Sequence, residues 1–421
     1  MKLIKTFPFL LFLFTVGLCS QTQKQIIFKQ LSVNDGLSQN SVVSIAQDSI
    51  GYLWFATQDG LNKYDGITYK YYQKLFEDIT KEDYSKLGKV YVDRQNKLYI
   101  ITKDGVLEKF NTELDSFQKV RKFRSASTIF QDRKLETWIG TYGNGLYKIG
   151  NRSKDTLQIL KNEDVLKEIF AISEYNGNII VAASESVFEI NNSTLDYKQF
   201  SFLGAKPKVN FGSIATDQNN RLWVGSFGEG LYINESGIFK RFQGFNSKNI
   251  LPIDLNIESL LVDSKNRLWV GTYGNGAYLI DFSRNTVTNF RLNSSNPKSI
   301  HYNDILSIVE DYSGTIWFGT DGAGLSYYDE NLNKFNSLTN SEIPDYADVA
   351  VARSLVIDDA GHFWIGTSGK GLTKYDPDKN EFRSYKNDPE NKNSIPFPPQ
   401  RYGAYLKIVL IIIGWVQETR A

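Results

Sequence analysis

Side chains on which nucleophilic and metal chemistry depends are nearly missing from this chain. One cysteine, Cys19, and two histidines, His301 and His362, occur in 421 residues. Cys19 ends an N-terminal apolar run. If it leaves with that run, no thiol remains, which excludes disulfides and thiolate catalysis. Two isolated histidines cannot hold zinc without carboxylate help, and neither stands in a Ser or Cys nucleophile motif. No cofactor or metal is therefore expected. An excess of charge is also missing: 48 Lys and Arg stand well mixed against 47 Asp and Glu, a formal charge of +1. That balance leaves no electrostatic footprint for nucleic acid or an anionic membrane. Long apolar runs are missing too. Phe7 to Leu18 and the stretch around Ile408 to Val416 are both too short to span a bilayer, so no transmembrane helix is expected in this chain.

The first of those runs has another reading. Lys2 and Lys5 precede it and Cys19-Ser20 follow, the layout of a secretory signal peptide. Residues 1–20 are expected to direct export, placing the rest in the periplasm. A lipid anchor on Cys19 is disfavoured by the bulk of Leu18 before it.

What the chain has in quantity is repetition. Asp304 to Tyr328, DILSIVEDYSGTIWFGTDGAGLSYY, reads as three short strands and two tight turns. The Asp and the Trp six residues after it recur as Asp48 and Trp54, Asp132 and Trp138, Asp217 and Trp223, Asp263 and Trp269, Asp311 and Trp317, and Asp358 and Trp364. Weaker copies pair Asp93 with Tyr99 and Glu174 with Ile180. Steps of 45, 39, 42, 43, 46, 48 and 47 residues separate the eight copies. Four short strands per unit of that length make a propeller blade. The expected fold is all-β, a β-propeller of four-stranded antiparallel blades in which each blade buries its faces on its neighbours. Ile26, Ile27 and Phe28 are expected to form a terminal strand that joins the last blade and closes the ring, removing open edges.

Within each copy, strand a ends at the Asp, strand b carries the Trp, strand c begins at the Gly-Leu, and strand d is a polar-aromatic run such as Lys334 to Leu338. The D-x-x-G turn is structural: the Asp accepts hydrogen bonds from turn amides and Gly supplies a positive φ. A calcium ligand is the minor alternative. The phrase also resembles the Asp-box of sialidases, itself structural. The repeated Trp is a core residue, worth up to ~5 kcal/mol if ~200 Å² is buried at ~25 cal/mol/Å².

Candidate binding residues lie in the b–c turns, on the face shared with the d–a connections. These turns read Tyr142-Gly-Asn144-Gly, Phe227-Gly-Glu229-Gly, Tyr273-Gly-Asn275-Gly and Asp321-Gly-Ala323-Gly. Aromatics interleaved with amides and carboxylates suit a sugar, whose apolar faces stack while its hydroxyls pair with planar polar groups. For any one residue the plain alternative is a solvated turn neighbour of glycine; only the cluster marks a site. The candidates are Tyr142, Asn144, Phe227, Glu229, Tyr273, Asn275 and Asp321. The d–a loops Leu292 to Ile300 and Tyr385 to Ile395 match one another and belong to the repeat. Gly140-Thr-Tyr-Gly143-Asn-Gly145 is followed by a strand where a nucleotide-binding glycine string requires a helix. His362 falls in an a–b turn on the opposite face and His301 in a d–a loop, and no carboxylate pair stands out, so catalytic residues are expected to be absent.

Gln30 to Gly66, QLSVNDGLSQNSVVSIAQDSIGYLWFATQDGLNKYDG, closely resembles the opening of two-component regulator propellers, the periplasmic sensor region of Bacteroidetes-type hybrid two-component systems. The later W-[IVF]-G-T-x-G-x-G-L copies agree, and the resemblance extends to about Ile395. In that family about fourteen copies build two seven-bladed propellers. An immunoglobulin-like domain, a membrane helix, a histidine kinase, a receiver and a DNA-binding domain follow. The resemblance implies an oligosaccharide or other small periplasmic ligand, a homodimer in the full-length receptor, and no catalysis in this region. A secreted propeller lyase or hydrolase and a free-standing interaction scaffold are the alternative readings.

Copies one to seven, 25–338, are expected to close one propeller, with 339–395 as the first blade of a second; a single eight-bladed ring is the runner-up. From Pro396 to Ala421 the repeat stops in mid-phrase. Degenerate back-translation one nucleotide earlier permits V-R-S-[IL]-[FL]-E-D-S-x-N-N-Y-W-V-G-T, with the Asp-to-Trp spacing kept. Residues 396–421 are accordingly expected to be the product of a frameshift, and Trp415 an accident of the wrong frame.

Overall fold

A computed structural model describes residues 26–73, 88–102, 105–151, 155–159, 168–203, 210–330, 343–347, 349, 351–367 and 370–395. The expected signal peptide, the aberrant tail and the outer strand at Lys334 to Leu338 lie outside them. The described residues are β-strands and turns, with short 3-10 segments at Val33–Asp35 and Asp345–Ala347. They fall into two compact units, the first ending at residue 333 and the second beginning at 334, with residues 293–297 grouped with the second.

The first unit is a ring of seven antiparallel sheets. Blade 1 is Val42–Gln47, Leu53–Thr57, Gly60–Tyr64 and Tyr69–Tyr72, paired in chain order as strands a to d. Blades 2 to 6 repeat that order, their inner a strands being Val90–Val92, Ala126–Gln131, Ile169–Tyr175, Phe211–Thr216 and Asn256–Val262. Blade 5 carries an extra outer strand, Ser201–Phe202, parallel to Ile238–Arg241. Blade 7 is Ile305–Glu310, Ile316–Thr320 and Leu325–Tyr328, and its fourth strand is Lys29–Leu31 from the N-terminus.

The closing strand therefore begins at Lys29, one residue beyond the Ile26-Ile27-Phe28 segment expected to form it. Phe28 lies outside the ladder as a buried plug, edge-on to Phe318 and Phe290, with its amide donating to the Lys298 carbonyl at 3.0 Å. Lys29–Leu31 occupies the place of a strand d. A Cβ on Gly324 would sit 2.3 Å from the Leu31 carbonyl, just as one on Gly276 of blade 6 would sit 2.1 Å from Phe290. Only glycine, here at φ +76, allows that approach.

Each joint between blades is the same contact. The strand-b aromatic or aliphatic residue shares a buried cluster with the residue three before the next blade's Asp position: Trp54 with Val90, Tyr99 with Ile129, Trp138 with Ile172, Ile180 with Ile214, Trp223 with Leu260 and Trp269 with Ile308. Trp317 with Ile45 makes the seventh joint, from blade 7 back to blade 1, so the ring closes at seven.

The Asp-to-Trp spacing has a second cause beyond the turn. In blade 1 Asp48 Oδ1 accepts from the amides of Ile50, Gly51 and Tyr52, while Oδ2 accepts from Trp54 Nε1 at 2.8 Å. The indole bond recurs at 2.9 Å for Asp132, 2.9 Å for Asp217, 3.0 Å for Asp263, 2.8 Å for Asp311 and 2.9 Å for Asp358. One carboxylate thus caps the turn and satisfies the donor that burial of Trp would otherwise strand.

Blade 4 departs from this. Ile180 pairs with Ser173 and Glu174 with Ile179, so Glu174 stands one residue before the Asp position and not at it. There it does what Gln47, Gln131 and Glu310 do, accepting a turn amide of the preceding blade. The pairs are Glu174 with Arg133, Gln131 with Arg94, Glu310 with Ser264, and Gln47 with Tyr312 across the closure.

The second unit contains one further sheet, Ala352–Ile357, Phe363–Thr367, Leu372–Asp376 and Glu381–Tyr385, built on the same pattern.

Candidate functional site

The b–c turns converge on one face of the ring because the Thr or Ser that ends strand b folds each turn tightly. Thr141 Oγ1 donates to the Gly145 carbonyl at 2.6 Å, Ser226 to Gly230 at 2.7 Å, Thr272 to Gly276 at 2.7 Å and Thr320 to Gly324 at 2.9 Å. The next residue, four after the Trp position, is held between two inner strands. Tyr142 donates its amide to Ser125 of its own blade and bridges to Glu168 of the next; Phe227 does the same with Asn210 and Asn256, and Ser184 with Glu168 and Asn210. Asp321 donates to Asp304 and bridges to Ser41.

This position forms the rim of the mouth. Four of the candidates, Tyr142, Phe227, Tyr273 and Asp321, occupy it on blades 3, 5, 6 and 7, and Gln58 and Ser184 occupy it on blades 1 and 4. The last two were legible as the residues four after Trp54 and Ile180, but their turns lack the Gly-x-Gly phrase. Phe227 and Tyr273 present 39% and 44% of their surface to solvent. Tyr142 meets Phe170 edge-on at 5.5 Å.

The other three candidates sit two residues on, and the side chains of Glu229 and Asn144 are turned into their own blades. Glu229 pairs with Arg241 and accepts from Tyr232 Oη at 3.3 Å. Asn144 Nδ2 donates to the carbonyls of Arg124 and Tyr142, both at 3.3 Å. The Asn275 carbonyl accepts from Asn289 Nδ2 at 3.0 Å.

Candidate Asp321 lies near Tyr273 together with a second carboxylate, Asp304, that sequence reading passed over. Asp304 Oδ1 accepts the amide of Gly274, and Asp321 Oδ1 accepts from Ser41 Oγ at 2.7 Å. Burial raises both carboxyls above their ordinary range, and the negative charge of buried Glu258 adds to the rise at each. The Tyr273 phenol is raised first by burial and then by Asp304, Asp321, Tyr302 and Glu258. Asp304 precedes strand a and Asp321 follows strand b of blade 7, and only the fold sets Tyr273 of blade 6 beside them. The one signal was that the residue seven before Asp48, Asp132, Asp217, Asp263 and Asp311 is polar: Ser41, Ser125, Asn210, Asn256 and Asp304.

Among the described residues no group of three or more His, Cys, Asp or Glu is arranged to hold a metal ion, and no helix is long and apolar enough to cross a membrane. His362 Nδ1 lies 3.0 Å from Asp358 in the second unit, and His301 Nδ1 lies 3.0 Å from buried Ser326 Oγ.

Residues 36–59, 251–274 and 299–322 match the two component regulator propeller family. Over 80 residues the chain is 45% identical to histidine kinase P4 of Formosa agariphila, a match covering 19% of this chain and 6% of that kinase. The extracellular domain of the BT3049 hybrid two component system from B. thetaiotaomicron has a TM-score of 0.63 at 23% identity, over 86% of this chain and 49% of that domain. Virginiamycin B lyase from Staphylococcus aureus has a TM-score of 0.56 at 14% identity, over 72% of this chain and 99% of the lyase. The chain thus spans about half the length of the sensor domain it resembles, and its fold is shared by a sensor and an enzyme.

Proposed function

We propose, for a chain whose repeats are those of the two-component regulator propeller family, that the ring is the ligand-sensing, extracytoplasmic part of a hybrid two-component receptor. Its ligand is an oligosaccharide held at the b–c mouth. The observation that carries this reading is the rim itself, described on six of the blades with one side chain on each, with Phe227 and Tyr273 exposed as stacking faces beside hydrogen-bonding Asp321, Gln58 and Ser184. Aromatic faces flanked by planar polar groups match a sugar's apolar face and equatorial hydroxyls. The chain binds without turnover. Occupancy shifts domain or dimer geometry, which a kinase lying outside this chain reports. Export by the N-terminal signal places it in the periplasm.

Calorimetric titration of the full chain against neutral and uronate-bearing oligosaccharides tests this. Binding without product, weakened about tenfold by Phe227→Ala or Tyr273→Ala, is the expected result. Turnover of a sugar would favour an enzyme on the same fold. Indifference to every sugar, with capture of a protein, would favour a scaffold.

A further inference from the structure

We propose that Asp321 latches the N-terminal strand that closes the ring, so that a group at the mouth which takes Asp321 from Ser41 loosens the closure. This rests on the mouth being the ligand site. In blades 1 to 6 the outer strand follows strand c along the chain. In blade 7 it does not: Leu325–Tyr328 meets Lys29–Leu31 only through a ladder of three residue pairs, Lys29 with Tyr327, Gln30 with Ser326 and Leu31 with Leu325.

Further bonds across that seam gather on the turn that bears the rim residue. Gly322 and Gly324 both donate their amides to the Asn40 carbonyl, at 3.1 and 2.7 Å. Gln30 Nε2 donates to the Ala323 carbonyl at 2.8 Å, and Ser41 Oγ donates to Asp321 Oδ1 at 2.7 Å. Of these contacts only the last involves a side chain at the rim. A ligand hydroxyl or amine donating to Asp321 Oδ1 competes with Ser41 for that oxygen, and the segment after the closing strand loses its side-chain tie to the rim while the backbone bonds of Asn40 remain. Ligand occupancy then appears at Lys29–Leu31, next to the segment that leaves the ring toward the N-terminus. The ring itself is held at every joint, the closure included, by aromatic and aliphatic packing, so the effect stays local.

Hydrogen exchange on the full chain, without any ligand, tests the latch. Ser41→Ala and Asp321→Ala are each expected to speed exchange of the Lys29–Leu31 and Leu325–Tyr328 amides about fivefold, equivalent to about 1 kcal/mol. Amides of Asn178–Ala183 in blade 4 should keep their wild-type rates, which also shows that the variants are folded. Asp321→Asn keeps the Oδ1 acceptor and should exchange no faster than wild type. Wild-type rates at the seam in both alanine variants would overturn the proposal, as would an Asn variant as open as the Ala variant. Failure of every sugar to bind would remove the reading of the mouth and leave the seam result standing.

Discussion

Ile308 in blade 7 and Leu355 in the eighth sheet hold the same place in the repeat, three residues before the Asp, yet one is 7% exposed and the other 57%. Ile308 lies on Trp269 of blade 6. The tryptophan that would cover the next such residue, Trp317, is already taken by Ile45 of blade 1. Ile357 shows the same contrast. It is 58% exposed at the position where Gln47, Gln131 and Glu310 accept an amide from the preceding blade. Trp364 is nonetheless buried, stacked on Tyr385 at 5.8 Å and bonded to Asp358. A blade therefore completes its own turn, cap and indole bond, whereas its inner strand is covered only by a neighbour. The repeat specifies blades, and the joints specify the ring.

The sharpest way to break this comparison is to remove the tryptophans. Trp269→Ala opens a cavity at a joint and should cost the ring about 3–5 kcal/mol in urea unfolding. Trp364→Ala should leave the ring transition where it is and alter only signals from the eighth sheet. Equal effects on the ring would mean that the two units fold as one.

The paired aliphatic positions come next. Ile308→Ala should cost about 2–4 kcal/mol, whereas Leu355→Ala should stay within about 0.5 kcal/mol. Thermal melts of the two variants separate these values.

Glycine substitutions sharpen the joint itself. A Cβ at Gly319 would lie 2.4 Å from Ser307 Oγ and 2.6 Å from the Val42 carbonyl of blade 1, while one at Gly366 meets only Ser354, at 2.3 Å. Gly319→Ala should cost about 1–3 kcal/mol even with Ser307→Gly added, because the Val42 carbonyl is backbone. Gly366→Ala with Ser354→Gly should be close to neutral.

The smallest effect is on pH dependence, and its sign differs between the units. Asp304 and Asp321 are raised above the ordinary carboxyl value of 3.8, so the stability they contribute is full below that value and is lost as pH rises through their folded pKa. The double variant Asp304→Asn/Asp321→Asn should therefore melt higher than wild type near neutral pH, and the gap should close as pH falls toward about 4. Burial opposes ionisation of Asp358, but bonds from Trp364 and His362 hold it down at about 2. Its contribution is present above 3.8 and is lost as pH falls from there through about 2. Acid titration followed at Trp364 should show the eighth sheet loosening below pH about 3.

Much of this was readable from the chain because it is local. The period, the four-stranded unit, the capped turn and the buried indole all arise within one hairpin, so Asp48 and Trp54 announce them wherever they recur. The blade 4 copy misled because its Asn-Gly turn is shorter, which slides Glu174 by one residue against Ile180. The candidate residues were half legible: spacing from Trp found Tyr142, Phe227, Tyr273 and Asp321, but the Gly-x-Gly phrase hid Gln58 and Ser184. It also gave no sign that Glu229 would turn back to Arg241.

By itself, then, the sequence determined a propeller and the internal wiring of each blade, since hydrogen bonds between residues a few positions apart need no knowledge of the rest. Only the tertiary structure decided that the ring holds seven blades, that Lys29–Leu31 completes the last one, and that Asp304, Asp321 and Tyr273 share one mouth. Those outcomes depend on which face meets which neighbour across long stretches of chain, and a repeated pattern makes every such pairing look alike until packing closes the circle.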